Sequence, residues 1–222
     1  VIDLLRMPGQ PLTAIHLGAG ALTLPRYVEH TRPGSRQQVI ELEQSLVDLV
    51  RAELPLPRGA QVRVRIGDAR DVAARLPAGL QGSADLVVSD VFAGAQTPAH
   101  LTTVEYFRIL AGLLSPDGVL LVNVADGAGL AFARRGVATV RAVLPEVIVL
   151  AEVQTLKGRR FGNIVAVAAR RLVVVAQEQP RFARQRQQLA DGAVERRRIA
   201  TREIGAGSAI VGHEERVPHE HR

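Results

Sequence analysis

The chain alternates between short apolar runs and stretches with helical spacing. Val1 to Met7 carries apolar residues at helical spacing and stops at Pro8-Gly9, which predicts a short opening helix. Ala14 to Leu17 predicts the first strand. Leu24 to His30 predicts a helix, with Pro25 tolerated in its first turn, and Arg32-Pro33-Gly34 a turn. Gln37 to Leu42 predicts the second strand, and Gln44 to Ala52 an amphipathic helix with Leu46, Val47, Leu49 and Val50 facing in. Gln61 to Ile66 alternates Val62, Val64 and Ile66 with arginine, the pattern of a strand with one wet face. A helix then runs to about Leu76. Asp85 to Ser89 is apolar enough for a central parallel strand. A loop from Val91 to His100 leads to a helix over Leu101 to Leu114, a tight turn at Pro116-Asp117-Gly118 and a strand over Val119 to Val124. A helix over Leu130 to Leu144 and a closing strand pair, Glu146 to Glu152 and Asn163 to Ala169, complete the pattern. Strands alternating with helices predict an α/β fold. The expectation is a Rossmann-like, doubly wound sheet of seven strands, mostly parallel, with its last strand antiparallel.

Composition changes that picture at the C-terminal end. Residues 1–170 read as one nucleoside-binding domain, and residues 171–222 as a basic extension that adds little to the core. The extension holds a possible basic helix over Arg181 to Ala190 and the run Glu195-Arg196-Arg197-Arg198. No aromatic residues are interleaved with the Arg196-Arg197-Arg198 cluster, so nucleic acid is not the expected partner despite a net charge of +6. His213, His219 and His221 are loosely spaced, and no metal is expected. Aromatics make up 3% of the chain, so the core must be built from small aliphatic side chains. There is no cysteine, which excludes disulfides and thiolate metal sites. No apolar run reaches membrane-crossing length and no signal-peptide pattern opens the chain, so no membrane partner and a cytoplasmic location are expected. The sequence opens on Val1 rather than Met, which leaves an upstream segment open.

Candidate chemistry gathers at strand ends. Gly18 and Gly20 follow the first strand, in a turn where glycine lets a ligand approach the backbone and the next helix start favours oxygen-rich groups. Glu41 and Glu43 end the second strand, at the distance where nucleotide-type folds place a carboxylate on ribose hydroxyls. Gly67, Asp68 and Ala69 follow the third strand, and Asp90 follows the fourth. Each acid alone has a structural reading; Asp68 before Ala69-Arg70-Asp71 could serve only as a helix cap. Together they form an acidic rim, which suits a cationic ligand carrying ribose and adenine better than a diphosphate. The third glycine of a dinucleotide loop is Thr23 here. His16 reads as a packed core histidine and Tyr106-Phe107 as core, and Ser89-Asp90 lacks the frame of a nucleophile elbow.

These pieces, in this order, resemble the spermidine synthase group of class I S-adenosylmethionine-dependent transferases. The resemblance covers roughly Val1 to Ala169. It rests on the glycine turn, Glu41-Leu42-Glu43, Gly67-Asp68-Ala69, Asp85 to Asp90, Asp117-Gly118-Val119-Leu120 and Gly162-Asn163. Its most specific part is Pro98-Ala99-His100-Leu101-Thr102-Thr103-Val104-Glu105-Tyr106-Phe107. The resemblance implies that Glu41 binds ribose hydroxyls, that Asp68, beside Ala69, accepts from the adenine amino group, and that Asp90 is the catalytic aspartate that helps deprotonate an attacking amine. It implies decarboxylated S-adenosylmethionine or S-adenosylmethionine as co-substrate, no metal, a small-molecule amine acceptor and a homodimer. The departures are Ala21 and Ala93 where the family has aspartates, Asn123 for a strand-five glutamine, and Leu156 for a late tyrosine. The sequence given has no counterpart of the family's N-terminal β-hairpin domain. Aminopropyl transfer is therefore weighed against methyl transfer to a non-polyamine acceptor and against a non-catalytic nucleoside-binding module.

Overall fold

A computed structural model of the chain describes residues 1–94 and 96–171. The expectations for residues 172–222 lie outside the described residues.

The elements follow the alternation. They are β1 (Thr13–Leu17), α1 (Thr23–Thr31), β2 (Arg36–Glu41), α2 (Gln44–Glu53), β3 (Val62–Ile66), α3 (Ala69–Ala74), β4 (Ala84–Ser89), α4 (Val104–Leu113), β5 (Leu114–Asp126), α5 (Ala131–Arg141), β6 (Glu146–Ala151), α6 (Val153–Leu156) and β7 (Gly162–Ala169). The seven strands form one sheet in the order β3-β2-β1-β4-β5-β7-β6. Strands β1 to β5 pair in parallel, and β7 runs antiparallel to both β5 and β6. The predicted architecture is the observed one.

The core has two faces. On one, Ile15, Leu17, Ile40, Val87, Leu120 and Val122 of the sheet meet Ala73, Tyr106, Leu110 and Val140 of α3, α4 and α5. On the other, Ala14, Leu86, Val88, Leu121 and Val167 meet Val28 of α1 and Ile2 of the N-terminal segment. α2 packs Val50 against Val39 and Leu22. Leu49 was expected inside but is 59% exposed. It lies two residues from Val47, roughly 200° round a helix of 3.6 residues per turn, on the opposite side from the buried stripe.

The short helix α6 was not expected, and three expected elements take a different form, each for a local reason. The opening helix forms only as a 3-10 turn, Ile2–Leu4. The buried Arg32 guanidinium takes the carbonyls of Ile2, Arg6, Met7 and Gln10 at 3.0–3.1 Å, so three of the expected helix's own carbonyls, Ile2, Arg6 and Met7, face the cation. The helix expected from Leu101 starts at Val104, because Thr103 is extended and caps it through Oγ1 to the Tyr106 amide. A 3-10 turn, Ala99–Leu101, precedes it. The turn at Pro116-Asp117-Gly118 is a bulge within β5: the register passes from Ala84↔Leu114 to Leu86↔Val119. Among the described residues no helix is long and apolar enough to cross a membrane.

His16 is buried as expected, at 1% exposure. Its Nε2 lies 3.0 Å from Gln37 Oε1, while Gln37 Nε2 donates to the Pro25 carbonyl, which assigns the imidazole proton to Nε2. Burial, partly offset by the Gln37 bond, lowers its pKa from 6.5 to about 4. The folded pKa lies below the unfolded one, so this stability is present above pH 6.5 and is lost as pH falls toward 4. Urea unfolding of His16→Met should therefore lose roughly 2–3 kcal/mol less than the wild-type protein between pH 7.5 and 4.5. Identical losses in both proteins would place the acid sensitivity elsewhere.

Candidate active site

The parallel ladder extends past the strand ends and brings four loops to one rim. The Gly18 amide donates to Ile40, Gly67 to Glu41 and Asp90 to Leu17, all through backbone carbonyls at 2.8–2.9 Å. The sheet order reverses direction between β1 and β4. Connections leave these two strands toward opposite edges, which opens a crevice at their carboxyl ends.

The glycine turn lines that crevice, and its two glycines differ. Gly18 has φ +90, and a Cβ there would lie 2.1 Å from the Asp90 carbonyl oxygen. Its absent side chain makes room for the β4 end. Gly20 has φ +49 and open space where its Cβ would stand, so the turn faces outward there. Leu22, left-handed at φ 58 and buried, closes the turn as the residue before α1.

Glu41 locks this turn to β2. Its Oε2 accepts from the Ala19 amide at 2.7 Å, and its Oε1 from the Leu42 and Glu43 amides at 2.8 and 3.0 Å. A carboxylate offers about four acceptor positions, so one stays open to a further donor. Glu43 shares the rim only loosely. It precedes α2 with an exposed side chain that makes no capping bond.

Asp68 caps α3 as the sequence allowed, its Oδ1 accepting from the Arg70 and Asp71 amides at 2.9 and 3.1 Å. Its Oδ2 lies 2.7 Å from His100 Nε2. Burial alone would raise the Asp68 carboxyl; hydrogen bonds from His100 and the two amides outweigh it and hold the group below its ordinary value. Ala69 is buried at the start of α3. His100 was not singled out by sequence reasoning, although it stands within the most specific segment, two residues after Pro98. Arg70 Nη1 also reaches the His100 carbonyl at 3.3 Å, tying that segment to α3.

Asp90 is exposed, and Asn123 Nδ2 on β5 donates to its Oδ1 at 2.8 Å. No bond within the described residues uses Asp90 Oδ2. Asn123 Oδ1 is buried without a partner, an unspent acceptor beside the carboxylate. Beneath them Ser89 Oγ and the Tyr106 hydroxyl lie 2.9 Å apart in the core. The sequence marked Asn123 only as a departure; its bond to Asp90 follows from β4 and β5 being neighbours. Ala21 and Ala93 are both exposed, and Leu156 is 45% exposed. Asp126, at the end of β5, spends its oxygens on the Gly127 and Ala133 amides at 2.7 and 2.8 Å. Gly18, Gly20, Glu41, Asp68 and Asp90 thus share the rim. Among the described residues no cluster of three or more His, Cys, Asp or Glu could hold a metal.

No protein-family model matches the chain. The fold is that of solved spermidine synthases and S-adenosylmethionine-dependent methyltransferases. The chain is 36% identical to a probable spermidine synthase from Corynebacterium glutamicum, with a TM-score of 0.68 over 78% of this chain and 61% of that one. It matches human methyltransferase-like protein 13, solved with SAH, at 21% identity and a TM-score of 0.61, covering 75% of this chain and 76% of that one. It matches a spermidine synthase solved with the transition state analogue AdoDATO at 14% identity and a TM-score of 0.64, covering 81% and 62%. A curated relative, the eEF1A lysine and N-terminal methyltransferase of Danio rerio, is 25% identical over 130 residues, 55% of this chain. The chain spans 19% of that relative's length.

The two glycines should respond differently to alanine. Gly18→Ala should cost at least ~3 kcal/mol in denaturant unfolding, since a backbone oxygen must move. Gly20→Ala should cost ~1–2 kcal/mol, the strain of a left-handed residue alone. Equal costs would mean that the β1–β4 approach does not depend on the missing side chain.

Proposed function

We propose that this chain binds a sulfonium nucleoside in the β1–β4 crevice and transfers a carbon group from it to an amine nitrogen, with Asp90 as proton acceptor. The observation that carries this reading is Asp90 itself: its backbone against Gly18, its Oδ1 held by Asn123, its Oδ2 unengaged. On the nucleoside side, the open acceptor position of Glu41 suits a ribose hydroxyl, and that of Asp68 Oδ2 suits the amino group of adenine. The outward-facing turn at Gly20 gives the ligand backbone to approach without a side chain between.

The chemistry needs little more. The amine lone pair attacks the carbon next to the sulfonium. The carbon–sulfur bond breaks and its electron pair stays on sulfur, leaving a neutral thioether. The nitrogen's proton passes to Asp90, because an ammonium has no lone pair with which to attack. The sulfonium is a good leaving group, so positioning and charge complementarity supply much of the remaining acceleration.

Aminopropyl transfer from decarboxylated S-adenosylmethionine is the first reading. It is supported by the segment Pro98 to Phe107 and by the likeness to the Corynebacterium glutamicum protein. Methyl transfer from S-adenosylmethionine is the second. It is favoured by Ala21, which offers no carboxylate to an aminopropyl ammonium, and by the Danio rerio relative. A thermal-shift comparison separates them: decarboxylated S-adenosylmethionine stabilises more under the first, S-adenosylmethionine under the second. Stabilisation by neither would reduce the chain to a module without this chemistry.

Asp90→Asn tests the proton acceptor. Asparagine keeps the shape and an acceptor oxygen but cannot take the proton. The variant should bind the nucleoside nearly as well and transfer at least ~100-fold more slowly. If Asp90 only caps its loop, stability drops by about 1 kcal/mol and turnover persists.

A further inference from the structure

The sheet carries an apolar lane that begins at Asp90. Asn123 pairs with Val165, and Val165 with Leu150. Paired residues of neighbouring strands project from the same face. Asp90 joins this row, since it is bonded to the Asn123 side chain. The row below runs Leu121, Val167, Ile148. At about 4.8 Å per strand, the upper row extends roughly 14 Å from Asp90 to Leu150.

The lane opens toward β6. Leu121 and Val167 are 8% and 5% exposed, whereas Leu150 and Ile148 are 45% and 47% exposed. Apart from Asp90, neither row carries a charge. The acids that flank it along β6 are Glu152, two residues past Leu150 and paired with Arg160 at 3.3 Å, and Glu146, which pairs with Ala169 and stands four residues from Leu150, about 13 Å further. Asp126 projects from the other face and its oxygens are already bonded.

We propose that this lane receives the acceptor, and that the acceptor is a monoamine with an extended apolar body, its nitrogen at Asp90 and its body along Asn123, Val165 and Leu150. The proposal rests on the transferase reading and names its substrate class. A short diamine would leave its second ammonium over Asn123 and Val165, out of reach of any second carboxylate on the lane. Desolvating an unpaired ammonium there opposes binding. An alkyl or aryl body instead covers Leu150 and Ile148 and removes their surface from water.

The test is calorimetric titration of n-octylamine and of 1,4-diaminobutane into the protein saturated with S-adenosylhomocysteine. Octylamine should bind about tenfold more tightly or better. Leu150→Asp and Ile148→Asp should each reduce that preference at least about fivefold, with S-adenosylhomocysteine affinity as the measure of folding. Equal or tighter binding of 1,4-diaminobutane to the wild-type protein, binding of neither amine, or an octylamine affinity untouched in both variants would overturn the lane. If neither S-adenosylhomocysteine nor decarboxylated S-adenosylmethionine binds, the transferase reading fails. The same titrations on the free protein then decide the lane by the same outcomes.

Discussion

Gly18 and the Asp90 carbonyl stand so close that no side chain fits between them: a Cβ on residue 18 would lie 2.1 Å from the oxygen. That contact sets how nearly the ends of β1 and β4 converge, and the candidate site is built on their convergence. The Asp90 amide reaches back to Leu17, so the two strand ends are bonded on one side and in contact on the other. Widening this approach would carry Asp90 away from the turn and strain its bond to Asn123. The glycine that invites a ligand-binding reading from sequence is, in the structure, the one that seats the carboxylate. The outward-facing glycine is Gly20, two residues on.

The rim acids differ in how much of their bonding capacity the protein has already used. Glu41 and Asp68 each accept three bonds, to three amides in one case and to two amides and an imidazole in the other. Groups so held have little rotational freedom to lose, and each presents one remaining acceptor position to a ligand. Asp90 accepts one bond and is exposed. Under the proposed function, the fixed carboxylates serve the nucleoside and the lightly held one serves the acceptor. This division suits binding at one end and proton transfer at the other.

The sheet and the rim were legible because they follow from periodicity and from where acids fall relative to apolar runs. The strand ends at Leu17, Glu41, Ile66 and Ser89 all emerge within a residue of where the pattern ends them. Long-range polar contacts were not legible. Arg32 reads as a turn residue until its carbonyl partners are seen, 22 to 30 positions earlier in the chain. His100 pairs with an acid 32 residues away and Asn123 with one 33 away. Each depends on which strands are neighbours and on their register, quantities that a one-dimensional pattern does not carry. Leu49 failed for a different reason: four apolar residues among five positions exceed the width of a helix's buried stripe, and packing chose three of them.

The segment Pro98 to Phe107 resembled the spermidine synthase group most specifically, and its contacts give that specificity a physical basis. His100 binds the Asp68 carboxylate at the end of β3, and Arg70 returns a bond to the His100 carbonyl. Thr103 then starts α4, which carries Tyr106 into the core to meet Ser89 at the end of β4. Burial raises the Tyr106 hydroxyl, against a smaller opposing effect of Ser89, so it stays protonated beneath the rim. One strap of ten residues therefore ties Asp68 to the strand that delivers Asp90, and places an uncharged floor directly before it. Ala21 and Ala93 lie outside the strap and take no part in these contacts. Under the proposed function, the nucleoside half can therefore keep its geometry whatever charge the acceptor half carries, because what holds Glu41 and Asp68 in place does not pass through Ala21 or Ala93.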